Sequence, residues 1–149
     1  MSENINSEKL DIDSFYEVLC RLEPSNLLIN YDSELSINDF KALRTIFSYT
    51  PHCPVQAIGK SLNITKSGAT RFINRLESYG LIKKCTLAKD GRVCCIILTD
   101  EGHRVYNEAT EYCKAKILKI LSNLNQETKL CMNECIGDIL INITKNRDE

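Results

Sequence analysis

The stretch VQAIGKSLNITKSGATRFINRLESYGLIKK, residues 55–84, decides the fold. Val55, Ile58 and Leu62 recur at helical spacing and predict a short helix. Asn63, a residue that tolerates the left-handed region, marks a tight turn after it. Thr65 is an N-cap for a second helix, residues 65–79, which Gly80 stops. On that helix Ala69, Phe72, Ile73 and Leu76 share one face, suited to packing. Ser67, Thr70, Arg71, Asn74, Arg75 and Ser78 share the other, and Lys66 lies at its start. The outer face holds cations, an amide and hydroxyls; Glu77 points elsewhere. Arg chelates guanine edges, Asn adenine edges, and Ser or Thr serve base or phosphate. A plain surface helix would instead mix Glu with Lys in i,i+4 pairs. Two helices joined by a tight turn, the second with such a face, read as a helix-turn-helix whose recognition helix enters the major groove.

Beyond Gly80 the apolar period changes from 3.6 to 2. Leu81–Leu87 and Arg92–Leu98 read as strands, with Asp90-Gly91 as the hairpin turn pair. Lys83, Lys84, Lys89 and Arg92 cluster on this hairpin. Placed directly behind a recognition helix, a basic hairpin over 81–98 is a wing, whose tip Arg92 can enter a neighbouring minor groove. Upstream, apolar positions 12, 15, 18, 19 and 22 make a helix that Pro24 kinks or ends. Residues 25–35 are ambiguous. Ser36 caps a helix with Asp39 in its first turn, predicted to bury Phe40, Leu43, Ile46 and Phe47. The run Thr50-Pro51-His52-Cys53-Pro54 breaks it. Downstream, Thr99 caps a helix running to about Leu124, with Asp100 and Glu101 at its positive end. The last helix, Glu127–Lys145, carries a broad apolar stripe through Cys131, Met132, Cys135, Ile136, Ile139, Leu140 and Ile143. The expected fold is mainly α with a small β-hairpin wing. A winged helix-turn-helix region spans 36–99, helical dimerisation regions span 10–35 and 100–146, and together they form a single domain, 1–149.

A chain of 149 residues, 43% hydrophobic and 26% charged, is long and apolar enough to bury a core, which excludes a wholly disordered protein. Its longest apolar run, Val93–Leu98, falls far short of the ~20 residues of a membrane span. The start, MSENINSEKLDID, has neither the basic flank nor the apolar core of a signal peptide, which points to the cytoplasm. The net charge of −1 hides a basic middle: residues 60–92 hold eight Lys and Arg against two acids, a local +6. That is the electrostatic footprint of a nucleic-acid binder. His52 and His103 have no nucleophile or acid–base constellation around them, so nothing suggests an enzyme. No cofactor is implied.

The chain resembles the MarR family of winged-helix transcriptional regulators. SINDFKALRTI (36–46), the stretch 55–84 and DGRVCCIILTDEG (90–102) carry the resemblance, which covers roughly residues 12–145. It implies a homodimer interlocked through the first and last two helices, which suits two long C-terminal stripes that a monomer of this size would not easily cover. It implies that Asp90 pairs with Arg92 and that Arg92 reaches the minor groove. It also implies a repressor of a pseudo-palindromic DNA site, released when a small-molecule effector enters a crevice between dimer helices and winged region. The DNA-contacting set is then Lys66, Ser67, Thr70, Arg71, Asn74, Arg75, Lys83, Lys84, Lys89, Asp90 and Arg92. Gly68 departs from the Ser, Thr or Pro more usual near the start of the recognition helix, and shortens that edge. The competing reading is a winged-helix protein-interaction module that no longer binds DNA. The cationic recognition face and the wing Arg92 argue against it.

Eight cysteines stand at 20, 53, 85, 94, 95, 113, 131 and 135, without a C-x2-C pair. The bland reading makes them small apolar core residues. Two others stay open, redox sensing and a metal or metalloid site, because some members of the family respond through cysteines or metals. Cys20 lies in the first helix, where a peroxide-sensing branch carries its reactive thiol, although that branch's sequence context is not matched. Cys94 and Cys95 point to opposite faces of a strand, and Cys85 on the partner strand lies opposite one of them. Cys131 and Cys135 share a helical face and, with Cys113 on the neighbouring helix, form a candidate thiolate-only site. Cys20, Cys113, Cys131 and Cys135 are the thiol-sensing candidates. Phe15, Tyr16, Tyr31 and Tyr49 read as core aromatics, with the lining of an effector crevice as the alternative.

Overall fold

The computed structural model describes residues 10–86 and 95–146. The chain divides into two compact units, residues 1–115 and 116–149, each described by itself. Its helices are α1 (Ile12–Arg21), α2 (Pro24–Leu27), α3 (Ile37–Ser48), α4 (Val55–Leu62), α5 (Lys66–Ser78), α6 (Asp100–Leu121) and α7 (Gln126–Lys145). Strands β1 (Cys53–Pro54), β2 (Ile82–Cys85) and β3 (Cys95–Leu98) form an antiparallel sheet in the order β1-β3-β2.

Local chemistry sets these boundaries. Pro24 ends α1 and opens α2, since a first helical position needs no amide proton. Ser36 and Asp39 make a reciprocal capping box on α3: the Asp39 amide donates to Ser36 Oγ at 3.2 Å, and the Ser36 amide donates to Asp39 Oδ2 at 2.7 Å. Asn63 closes α4 at φ +52°, where its short amide side chain makes the left-handed region tolerable. Thr65 accepts from the Gly68 amide at 3.2 Å and starts α5. Thr99 accepts from the Gly102 amide at 3.0 Å and donates to the Gly80 carbonyl at 2.6 Å, which ties α6 to the end of α5. A Cβ at Gly102 would overlap the Leu81 carbonyl, so this close approach requires glycine.

The core lies between α3, α4, α5 and the sheet. Leu43, Ile58, Leu76, Ile82 and Ile96 are sealed from solvent. Each contributes about 1.5–3 kcal/mol of apolar burial. A second cluster joins Leu28, Phe40 and Ala109, with Tyr31 edge-on to Phe40 at 5.8 Å and 4.9 Å from Tyr112. By contrast, every residue of α1 and of α7 is exposed or half-buried. Among the described residues, no helix is long and apolar enough to cross a membrane.

Several expectations are corrected. The proline-flanked break contributes a strand: Cys53 faces Ile96 and Pro54 faces Cys95, and an edge position accommodates a proline. Phe47 is 42% exposed rather than buried; its ring lies against Tyr106 at 4.9 Å and His103 at 6.0 Å. Phe15, Tyr16 and Tyr49 are exposed, and only Tyr31 of the four is a core aromatic. Helix α6 ends at Leu121 rather than near Leu124, because the Asn125 side chain caps α7, accepting from the Thr128 amide at 2.8 Å. The expected facing of Cys85 and one of the two adjacent cysteines is met: Cys85 pairs with Cys95. The hairpin turn, with Lys89, Asp90, Arg92 and Cys94, lies outside the described residues.

Candidate DNA-binding surface

Ala69, Ile73 and Leu76 seat α5 on the core, and Phe72 is half-buried beside them. These four residues are the packing face expected from the helical wheel. The opposite face is open. Lys66, Ser67, Thr70, Arg71, Asn74, Arg75 and Ser78 are all exposed. A cavity of about 760 Å³ runs between α4 and α5, bordered by Gln56, Lys60, Lys66, Thr70, Asn74 and Lys84. The Thr70 hydroxyl donates to the Lys66 carbonyl at 3.1 Å, and that of Ser78 donates to the Arg75 carbonyl at 2.6 Å. Both hydroxyls keep an acceptor lone pair.

The cations on this surface fall into two groups. Lys60, Lys66, Arg71 and Lys83 have no ion-pair partner among the described residues. Arg75 and Lys84 are tied down. The Arg75 guanidinium pairs with Asp39, whose side chain is only 4% exposed, and also covers the Phe72 ring at 4.6 Å. One oxygen of Asp39 thus serves the α3 capping box while the other holds α5. Lys84 Nζ donates to Glu77 Oε2 and to Asn74 Oδ1, each at 2.6 Å. This bond to Lys84 holds the Glu77 carboxyl below the usual glutamate range. The sequence reading placed Arg75, Asn74 and Lys84 on the surface but missed both ties. The Asp39 tie joins residues 36 apart, and no local periodicity reports such a pair. Glu77 and Lys84 are seven apart across the α5–β2 corner, so the signal was an acid one turn from the wing.

The thiols separate as well. Cys53 is buried, and burial pushes its thiol up to about 11. Cys20 is half-buried on α1, while Cys131 and Cys135 are exposed on α7, where Cys131 raises the Cys135 thiol. Cys113 borders a cavity of about 320 Å³ together with Leu28, Ile37, Phe40, Tyr106 and Ala109. At the far end of the described sheet Cys85 and Cys95 are joined as a disulfide. His52 Nδ1 lies 3.8 Å from the Cys95 sulfur and 4.0 Å from that of Cys85. The sequence gives His52 no nucleophile or acid–base partner, and no spacing rule connects it to either cysteine.

A tight turn at Asn63, a helix seated with its polar face outward and a strand pair directly behind it define a winged helix-turn-helix protein. The comparisons with known proteins narrow the class. The MarR family model matches residues 35–94. The HTH-type transcriptional regulator PecS of Dickeya dadantii is 28% identical, over 76% of this chain and 70% of its own. Among solved structures, the transcriptional regulator Tm0710 of Thermotoga maritima superposes with a TM-score of 0.73 at 19% identity, over 95% of this chain and 99% of the other. FabT of Streptococcus pneumoniae, solved in complex with DNA, gives 0.58 at 22% identity, over 90% and 93%. Residues 35–94 thus match the MarR family model, and the curated relatives that the chain resembles are HTH-type transcriptional regulators.

Proposed function

We propose that the chain acts in the cytoplasm as a homodimeric repressor of a pseudo-palindromic DNA site, with α5 in the major groove and the wing, through Arg92, in the adjacent minor groove. The observation that carries this reading is the N-terminal half of α5. Lys66, Ser67, Thr70 and Arg71 stand exposed there without an acid among them, on a helix whose other side is locked into the core. A rigid support is what a base-reading side chain needs. We assign Arg71 to base reading, and Lys60, Lys66 and Lys83 to phosphates. Arg75 serves first to hold α5 against α3. The apolar faces of α1 and α7 support a dimer, since helices of this kind are marginal without a partner. A two-fold dimer in turn calls for half-sites about one helical turn apart. The cavity beside Cys113 is a suitable place for a small apolar effector that releases DNA.

Fluorescence anisotropy on the DNA upstream of the chain's own gene, with a scrambled control, tests this. Arg71→Ala should cost about 1–3 kcal/mol and relax specificity at one base position. Lys83→Ala should weaken all sequences alike and flatten the salt slope. Equal affinity of the wild-type protein for operator and scrambled DNA, across a set of candidate sites, would sink the reading.

A further inference from the structure

Cys85 and Cys95 occupy directly opposed positions in the β2–β3 ladder, with Cα atoms 5.3 Å apart, inside the range a disulfide bridges without moving the backbone. The two sulfurs differ in access. Cys95 is buried at 2% exposure and Cys85 is half-buried. An exposed imidazole, His52, adjoins both. This arrangement gives an outward thiol for an oxidant to meet, an inner thiol to resolve the product, and a base beside them that opens to water. Cys53, on the neighbouring strand, is set apart by its full burial and its high thiol value, and does not compete.

We propose that Cys85 and Cys95, with His52 beside them, form a redox-active dithiol–disulfide pair that takes hydroperoxides as its oxidant. The Cys85 thiolate attacks one peroxide oxygen; the O–O bond breaks and the departing oxygen leaves as water after taking a proton, or as an alcohol from an organic hydroperoxide. Cys85 is then a sulfenic acid. The Cys95 thiolate attacks that sulfur, the S–O bond breaks, and the hydroxyl leaves as water. Two thiols lose two electrons and the peroxide gains them. His52 Nδ1 accepts the thiol proton and passes it to the leaving oxygen. A thiol reductant reverses the bond by exchange. This site differs from the four cysteines that the sequence singled out. The chemistry stands independently of DNA binding; its use as a release signal rests on the reading above.

The test counts thiols. The fully reduced chain has eight cysteines and should take eight equivalents of N-ethylmaleimide when denatured. After brief treatment with hydrogen peroxide it should take six, and dithiothreitol should restore eight. Tryptic digestion should then join peptide 85–89 to peptide 93–104, and the link should persist in Cys94→Ser and vanish in Cys85→Ser and Cys95→Ser. His52→Ala should slow the loss of thiols severalfold with the same end point, and imidazole in the buffer should restore the rate. A link through Cys94, a bond that resists dithiothreitol, or eight thiols after peroxide would each overturn the proposal. So would one equivalent of zinc on the reduced protein that shields both thiols from peroxide. DNA anisotropy runs alongside. A wild-type protein that forms the link yet binds no DNA in either state counts against the repressor reading and leaves the redox pair standing.

Discussion

Between α3 and β3 the residues Leu43, Ile58, Leu76 and Ile96 are closed off from water, while along α1 and α7 Ile12, Val18, Ile136 and Ile143 are each about half open to it. Both regions read from sequence as amphipathic elements of equal regularity. In the first, three helices and a sheet turn their apolar faces towards one another within a hundred residues. In the second, the faces of each helix stay about half open among the described residues. Periodicity reports that a face is apolar, and says nothing of what meets it. A helix face left open over many residues is the mark of an interface rather than of a core.

The largest expected effect breaks this comparison at its open side. Ile136→Glu, Ile139→Glu and Ile143→Glu, made together on the α7 stripe, should halve the mass seen by light scattering. Each buried isoleucine contributes about 1.5–3 kcal/mol, and a two-fold interface counts each twice. The dissociation constant should therefore rise by more than about a thousandfold. Helical signal from the α3–β3 region should survive, because its core is complete within one chain. A wild-type protein that already has the mass of one chain would remove the dimer from the reading.

The same contrast explains what was legible in the sequence. The helix-turn-helix was legible because its signals are local: Ser36, Asn63, Thr65 and Gly80 each act within one turn of where they stand. The packing face of α5 was legible for the same reason. The third strand was not, since Cys53-Pro54 is two residues long and is held by pairing to β3, more than forty residues away. Phe47 lies on the predicted apolar face of α3, yet α3 is wider than the core it meets. The facing of Cys85 and one of Cys94 and Cys95 was legible, and the register of the ladder decides for Cys95. A shift of one residue changes every facing pair.

The next effect sharpens the comparison on its closed side. Asp39 is the one buried charge among the described core residues, and it performs two tasks, capping α3 and holding Arg75. Asp39→Ala should lower stability by about 2–4 kcal/mol, from the lost cap and the lost charged hydrogen bonds together. Arg75 is 44% exposed and can turn to water, which keeps the cost below that of a fully buried broken pair. Arg75→Ala should cost less than Asp39→Ala, because it leaves the capping box intact. Equal losses in urea denaturation would mean that the cap contributes nothing and that the ion pair alone joins α3 to α5.

The smallest effect lies at the edge of the surface proposed to face DNA. Glu77 is held below its ordinary value of 4.5, first by the side-chain hydrogen bond from Lys84. A carboxylate depressed in the folded state stabilises the fold fully above its unfolded value, and that contribution disappears as pH falls through the folded value. Wild type and Glu77→Gln should therefore differ in thermal midpoint at pH 7 and converge as pH falls through the lowered folded-state value of Glu77. The same variant releases Lys84 from its only acidic partner among the described residues. If the Lys84 ammonium then turns to phosphate, Glu77→Gln should bind DNA more tightly and with a steeper dependence on salt, by about one counterion. A variant that changes the acid limb and leaves the salt slope untouched would make Lys84 a residue that holds α5 to the sheet, as Arg75 holds it to α3, and leave Lys60, Lys66, Arg71 and Lys83 as the proposed DNA-contacting cations among the described residues.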